Sequence, residues 1–258
     1  MTSVCILASG SKGNAIYVSN DKTAILLDAG LSGIEIERRL ESRDINPDSL
    51  DAIVVSHEHT DHIQSVGVLS RRFRLPVYIN EPTLAAARDQ LGPLHETITF
   101  HQGSAFRIGS ISIHPFAVSH DAAEPVGFTI QDGAAKIGIA TDLGAATQLV
   151  CHHLTGCAMV VIETNHDIKM LEEGPYPWEV KQRIRSRHGH LSNEASRDLL
   201  GEISHSALRH VVLAHISETN NDPQKALSVV GESVSNNRTR LSVACQHVAG
   251  EVINLEGD

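Results

Sequence analysis

Residues 51–62 read DAIVVSHEHTDH: a short apolar run, then three histidines, a glutamate and an aspartate within six positions. The run DAIVVS (51–56) has the length and composition of a buried strand, so the polar cluster must sit where that strand leaves its sheet. The spacing is H-x-H-x-D-H. His57 and His59 lie in the loop and can point at one metal position. Asp61 and His62 begin the following helix, whose N-terminus favours a carboxylate, and face a second position. Two groups for each position imply two metals. Cations about 3.5–4 Å apart activate a water between them and clamp the oxygens of a displacement reaction.

Such a site needs further ligands, and three residues end strand-like runs in the same way. They are His120 in VSHDA, Asp142 in ATDLG and His215 in LAHIS. Asp142 is the natural bridge, because one carboxylate can offer an oxygen to each metal. The chain holds 16 histidines, an excess that a metal centre would explain in part. His95, His101, His114, His152, His153, His205, His210 and His247 lack partners in the sequence and are assigned structural or surface roles. CHHLTGC (151–157) offers two thiols and two imidazoles, but C-x5-C is outside the usual zinc spacing. It reads instead as a helix end followed by a strand, with Cys157 a small core residue.

The rest of the chain reads as two strand-rich halves, each with helices. Strands are predicted at 4–8, 15–19, 23–28 and 51–56, and helices at 34–43 and 63–73. A second group of strands, ITF, SAFRI, ISIHPFAVS, VGFTIQ and AKIGIA, follows. Asp132-Gly133 marks a tight hairpin, since both residues tolerate positive φ. Then come a helix at 145–154, a strand at 158–163, a helix at 193–203 capped by Ser192, and a strand at 210–214. The last helix, 223–234, has Asp222 as its cap and Pro223 at its first position. The pattern predicts an α/β (α+β) chain, a four-layer αββα sandwich, as one domain over 1–258. No apolar stretch approaches the ~20 residues of a membrane span, and no signal peptide is evident, so a soluble cytoplasmic protein without membrane association is expected. The net charge of −10 argues against a protein that coats nucleic acid. It leaves room for a nuclease, where bound dications and a local basic strip outweigh the global sign.

The motif HEHTDH, followed in order by His120, Asp142 and His215, resembles the metallo-β-lactamase fold hydrolases over nearly the whole chain. The terminal D-H pair resembles the dinuclear hydrolases, including phosphodiesterases, more than the antibiotic-cleaving members. ASGSKGNA (8–15), SHDAAEPVGFTI (119–130), ETNHD (163–167), GPYPWEVKQRI (174–184) and GHLSNEA (189–195) together resemble the YycJ/WalJ/VicX group. That group is regarded as DNA exonucleases. The resemblance implies DNA or another phosphodiester as substrate. No long insertion suggests a β-CASP cap or a tRNA-clamping arm.

His190, just before the predicted helix at 193, is then the candidate general acid, since cleavage expels an alkoxide that an imidazolium can protonate. A histidine in this region has that role in the related phosphodiesterases. Asp61, as a ligand beside the reacting centre, is counted with His190 among the catalytic groups. The loop SGSKGN (9–14) is not a P-loop, yet Ser11 and Asn14 are candidate contacts to phosphate or to the ligands. Asn165 and His166, at a strand end, are candidates for substrate contact or for support of the ligands. VKQRIRSRHGH (180–190) is the densest basic strip, and Arg183 and Arg187 would share a face if its helix continued that far. Tyr176 and Trp178 beside it could stack on a base or sugar.

These residues predict a phosphodiesterase with two divalent metal ions: zinc, manganese or iron. His57, His59 and His120 would hold one, Asp61, His62 and His215 the other, with Asp142 between them. DNA is the leading substrate. The alternatives are a small cyclic-nucleotide or dinucleotide phosphodiesterase, and a metal-binding regulatory protein without turnover. The sequence assigns no oligomeric state.

Overall fold

The computed structural model describes residues 1–234 and 238–255. The first sheet takes β1 (Thr2–Ala8), β2 (Ala15–Ser19), β3 (Ala24–Leu27), β4 (Ala52–Val54), β5 (Pro76–Ile79) and β6 (Glu96–Thr99) in chain order. The second takes β7 (Phe106–Ile108), β8 (Ile111–Ala117), β9 (Val126–Asp132), β10 (Ala135–Ala140), β11 (Met159–Glu163), β12 (His210–Ala214) and β13 (Arg240–Val243). β14 (Ile253–Leu255) returns to the first sheet, pairing antiparallel with β1. Each sheet starts as antiparallel hairpins and ends as parallel strands. β3 to β6 are parallel in one, β10 to β13 in the other.

The parallel strands need crossovers, which the helices provide. α1 (Gly33–Glu41), α2 (Thr60–Ile63), α3 (Val66–Phe73) and α4 (Glu81–Leu91) serve the first sheet. α5 (Gln148–Leu154), α6 (Ile168–Glu173), α7 (Trp178–Arg185), α8 (Asn193–Ile203) and α9 (Pro223–Gly231) belong to the second half. Strand alternation divides the core into three. Val4, Ile6, Ile25, Leu27 and Val54 face Ile113, Phe128, Ile130, Ile137 and Val161 between the sheets. The intervening residues Cys5, Leu7, Leu26 and Ile53 pack on Ile36, Leu40, Val66 and Leu69 of the helices. On the far side, Val160, Ile162, Val211 and Leu213 pack on Val150, Leu154, Leu199 and Val230. The fold is the αββα sandwich expected.

Local details differ from the sequence reading in instructive ways. The helix expected at 63–73 is two, broken at Ser65, whose N–H and hydroxyl both donate to the Ala29 carbonyl. α5 begins only at Gln148, where Thr147 caps it. β5, β13 and β14 and the helices α4 and α6 form in segments where no element was predicted. α7 stops at Arg185, because Ser186 is extended (ψ 164°), so Arg187 is not on its face and does not pair with Arg183 along it. Cys151 lies in α5 with its thiol donating to Glu202 (3.1 Å), and Cys157 is buried core, as a non-metal reading requires. Among the described residues, no helix is long and apolar enough to cross a membrane.

Candidate active site

The polar residues gather at one end of the sandwich, where strands of both sheets finish. β3 leads to Asp28 and β4 to Ser56 and His57. β8 leads to His120, β10 to Asp142, β11 ends in Glu163, and β12 leads to His215. Three of these, Asp28 (φ 58°), Asp142 (φ 54°) and His215 (φ 55°), are left-handed although they carry side chains. That conformation costs each of them about 1–3 kcal/mol, and such strain collects at functional sites. Here it turns the chain sharply off the strand end and brings the side chain across the mouth between the sheets.

Three groups of ligand atoms result, each lying within 4.8 Å: His57 with His59 and His120, His57 with His62 and Asp142, and Asp142 with Glu163, His190 and His215. Asp142 is shared by two of them. Its Oδ2 is 3.1 Å from His62 Nε2 and its Oδ1 is 3.0 Å from His215 Nδ1. Asp61 sits further out, with Oδ2 3.8 Å from His62 Nε2, and belongs to none of the three compact groups. All seven sequence-predicted ligands therefore converge, Asp61 the most loosely.

These groups do not satisfy one another. Asp142 Oδ2, His215 Nδ1 and His57 Nε2 are buried and make no hydrogen bond despite such short separations. Buried polar atoms are normally paired. Nitrogen and oxygen donors that crowd together without pairing are what a shared cation requires, and the set fits divalent metals. Burial pushes His57 well below its usual range, which keeps its imidazole in the neutral, ligating form. Burial alone would raise Asp142, but the His215 and His62 imidazoles hold its carboxyl well below the usual range.

A second set of residues holds the ligands. Asp28 accepts from the Ser56 N–H (2.8 Å) and hydroxyl (2.7 Å), and its Oδ2 lies 2.8 Å from His62 Nδ1. That contact turns Nε2 of His62 toward Asp142, into the ligand cluster. His120 Nδ1 is 3.2 Å from the Gly189 carbonyl. Glu163, fully buried, accepts from the Leu143 N–H (2.6 Å) and lies 2.6 Å from His190 Nδ1. Burial pushes the His190 imidazolium down, but the Glu163 carboxylate more than reverses this, to about 9. The His190 ring stands 5.2 Å from that of His120 and 5.1 Å from that of His215.

The other predicted residues are placed less uniformly. Asn14 is buried against Asp61 and His62, with Nδ2 3.3 Å from Asp61 Oδ2 and 3.0 Å from His62 Nε2. Ser11 is exposed at the loop tip. The Asn165 amide donates to the His215 carbonyl (2.9 Å), so it supports a ligand's backbone. His166 is buried with an unpartnered Nδ1, and with Arg185, His190 and Ser192 it lines a cavity of about 180 Å³. Burial lowers it to about 4. Arg183 is committed to Asp121 (2.6 Å), the neighbour of His120, and Arg185 to Glu172 (2.8 Å). Asp28, Ser56 and Glu163 were missed in the sequence, although Asp28 and Glu163 close apolar runs just as Asp142 does.

A two-sheet sandwich with this histidine and aspartate centre defines the class of metal-dependent hydrolases. The description "Beta-lactamase superfamily domain" matches residues 23–216. The exodeoxyribonuclease YycJ of Bacillus anthracis is 38% identical over 88% of this chain and 87% of its own. The exodeoxyribonuclease WalJ of Streptococcus pneumoniae is 37% identical over 84% and 82%. The metallo-β-lactamase fold protein YhfI of Bacillus subtilis superposes with a TM-score of 0.77 at 15% identity, covering 97% of this chain and all of that one, a likeness of fold alone. The chain belongs to the metallo-β-lactamase superfamily, in the family of the YycJ and WalJ exodeoxyribonucleases.

Proposed function

We propose that the protein is a dinuclear phosphodiesterase that degrades DNA from its ends. The observation that carries this reading is the placement of His190, its Nδ1 2.6 Å from buried Glu163 and its ring beside those of His120 and His215. His57, His59 and His120 would hold one metal, Asp61, His62 and His215 the other, and Asp142 would be shared. Two divalent cations there supply Lewis acidity, to activate water and to neutralise charge on the phosphate. Asp28 and Ser56 fix the ring of His62 and the chain around His57. His190 delivers a proton to the departing sugar oxygen, a step that a deoxyribose alkoxide needs and a good leaving group does not. Glu163, 2.6 Å from His190 Nδ1, orients the ring. The named activities of YycJ and WalJ support DNA as the substrate.

One observation favours the small-phosphodiester reading: Arg183 and Arg185 are already paired with Asp121 and Glu172, which reduces the attraction of a polyanion. A nuclease assay separates the readings. End-labelled single- and double-stranded DNA and cyclic nucleotides are offered with zinc, manganese or iron. Progressive shortening from a labelled end supports the exonuclease. Turnover of cyclic nucleotides alone would transfer the assignment to a small-molecule enzyme, and no turnover of any phosphodiester would leave a binding protein.

A further inference from the structure

The loop between β1 and β2, residues 9–14, reaches two ligands of one metal position by its two ends. At its start, the Ser9 hydroxyl accepts the backbone N–H of His215 (2.7 Å). At its finish, the Asn14 N–H donates to the Asp61 carbonyl (2.7 Å), while the Asn14 carboxamide lies against Asp61 Oδ2 and His62 Nε2. With the shared Asp142 set aside, His215, Asp61 and His62 are the set proposed for the second metal. The first triad draws on other groups: Ser56 lies 2.9 Å from His57 Nδ1, and the Gly189 carbonyl 3.2 Å from His120 Nδ1. Asp28 and Ser56 serve both sides and cannot distinguish them.

The loop itself is held from outside the site. Gln246, buried on the segment after β13, accepts from the Lys12 N–H (2.8 Å) and donates to the Gly13 carbonyl (3.0 Å). Its own carbonyl accepts from Arg39 of α1 (2.9 Å), which also donates to the Leu7 carbonyl (2.8 Å) and is held by Glu35 (2.7 Å). The loop can take this path because Gly10 (φ 139°) and Gly13 (φ 146°) occupy backbone space that side chains avoid. A Cβ at Gly10 would stand 2.6 Å from Gln246 Oε1, so the carboxamide packs directly on the turn.

We infer that Gln246, through the 9–14 loop, is a positioning residue for one metal site only, tuning the affinity of the Asp61–His62–His215 position and leaving that of His57–His59–His120 unchanged. The inference rests on the two-metal reading above. A loop fastened at both ends and at its tip holds His215 and the Asp61–His62 turn at one spacing. Freed at the tip, it lets these two anchors drift apart, and coordination at that position weakens by the mechanism through which outer partners govern metal affinity.

The test is stepwise metal titration of the full chain, by calorimetry with manganese and by elemental analysis after dialysis, for wild type, Gln246→Ala and Gln246→Glu. The glutamate keeps the acceptor for Lys12 and loses the donor to Gly13. Wild type should bind two ions. Gln246→Ala should weaken one binding step by about 10–100-fold, with the other within about twofold, and Gln246→Glu should fall between. Manganese resonance spectra of the variant at limiting metal should lose the spin-coupled pair signal and keep the single-ion one. Equal weakening of both steps would mean a general structural role and overturn the inference, as would two unchanged steps in a folded variant. A wild type that binds a single ion would instead remove the two-metal reading itself. Should Gln246→Ala fail to fold, Gln246→Glu carries the same comparison.

Discussion

Asp142 offers one oxygen toward His62 and the other toward His215, at 3.1 and 3.0 Å. Asparagine at this position keeps the size and loses the charge, and its NH₂ group has no lone pair to offer a cation. Asp142→Asn should therefore lower bound metal below two ions per chain and abolish hydrolysis. Elemental analysis beside a phosphodiesterase assay checks this, and a fully loaded, active variant would remove Asp142 from the bridging position. His190→Ala tests a different property. Both metals should remain, while DNA cleavage falls by ~10²–10⁴-fold, the scale of general acid catalysis. Bis(p-nitrophenyl) phosphate, whose leaving group needs no proton, should lose far less. Equal losses on the two substrates would assign His190 to positioning. At this scale the ligands were legible because four of the seven fall within six residues at 57–62 and the others end apolar runs. Glu163 was not, since a carboxylate after a strand also serves as an ordinary turn or cap residue. Only the 2.6 Å contact with His190 across 27 residues reveals its task.

Among the elements, the turns matter more than the strands they follow. Gly30 follows β3, and a Cβ there would lie 1.6 Å from the Asp61 carbonyl oxygen and 2.7 Å from the Asn14 nitrogen, both backbone atoms that cannot swing aside. Gly30→Ala should destabilise the metal-free fold by about 1–3 kcal/mol, as overpacking does. It should also weaken metal binding, because Asp61 is pushed from its place. Denaturant melts of the metal-free variant and metal titration measure the two effects separately, and a normal metal affinity would show that the turn adjusts without moving Asp61. The early stop of α7 follows the same logic. After Arg185 the chain turns so that the His190 N–H donates to the Ile184 carbonyl (2.9 Å) and Gly189 packs on the Arg183 and Ile184 carbonyls. This delivers His190 to the site. Helical spacing suggested that Arg183 and Arg187 share a face, since charge pattern says nothing of where a helix must end to place another residue. Likewise, residues 63–73 have uninterrupted helical periodicity, and the break at Ser65 comes from bonds to Ala29, 36 residues away.

For the molecule as a whole, a net charge of −10 opposes a polyanion, so a DNA substrate would have to be met where positive charge is concentrated. Neutralising Arg183 and Arg187 together should flatten the dependence of log K on log salt by ~1.8, the value for two phosphate contacts. Because Arg183 starts from an ion pair with Asp121, a change nearer ~0.9 would mean that it keeps Asp121 and only Arg187 meets the backbone. An unchanged slope would leave the strip a solvated face.

The site also joins the two sheets. His57, Asp61 and His62 come from the first half, and His120, Asp142 and His215 from the second, so ions held among them act as cross-links between layers. The folded chain alone assembles these ligands, and metal binding is then linked to folding. One site held at a free concentration about a hundredfold above its Kd adds about 2.7 kcal/mol. For a domain of this size each kcal/mol moves the melting temperature by roughly 2–4 °C. Exhaustive chelation should thus lower Tm by about 5–10 °C for each site emptied, and readdition of metal should restore it. The Gln246→Ala chain should show only part of that restoration at metal levels sufficient for wild type. A melting temperature indifferent to chelator, with metal shown by elemental analysis to have left, would mean that the apolar layers alone hold the sheets in register.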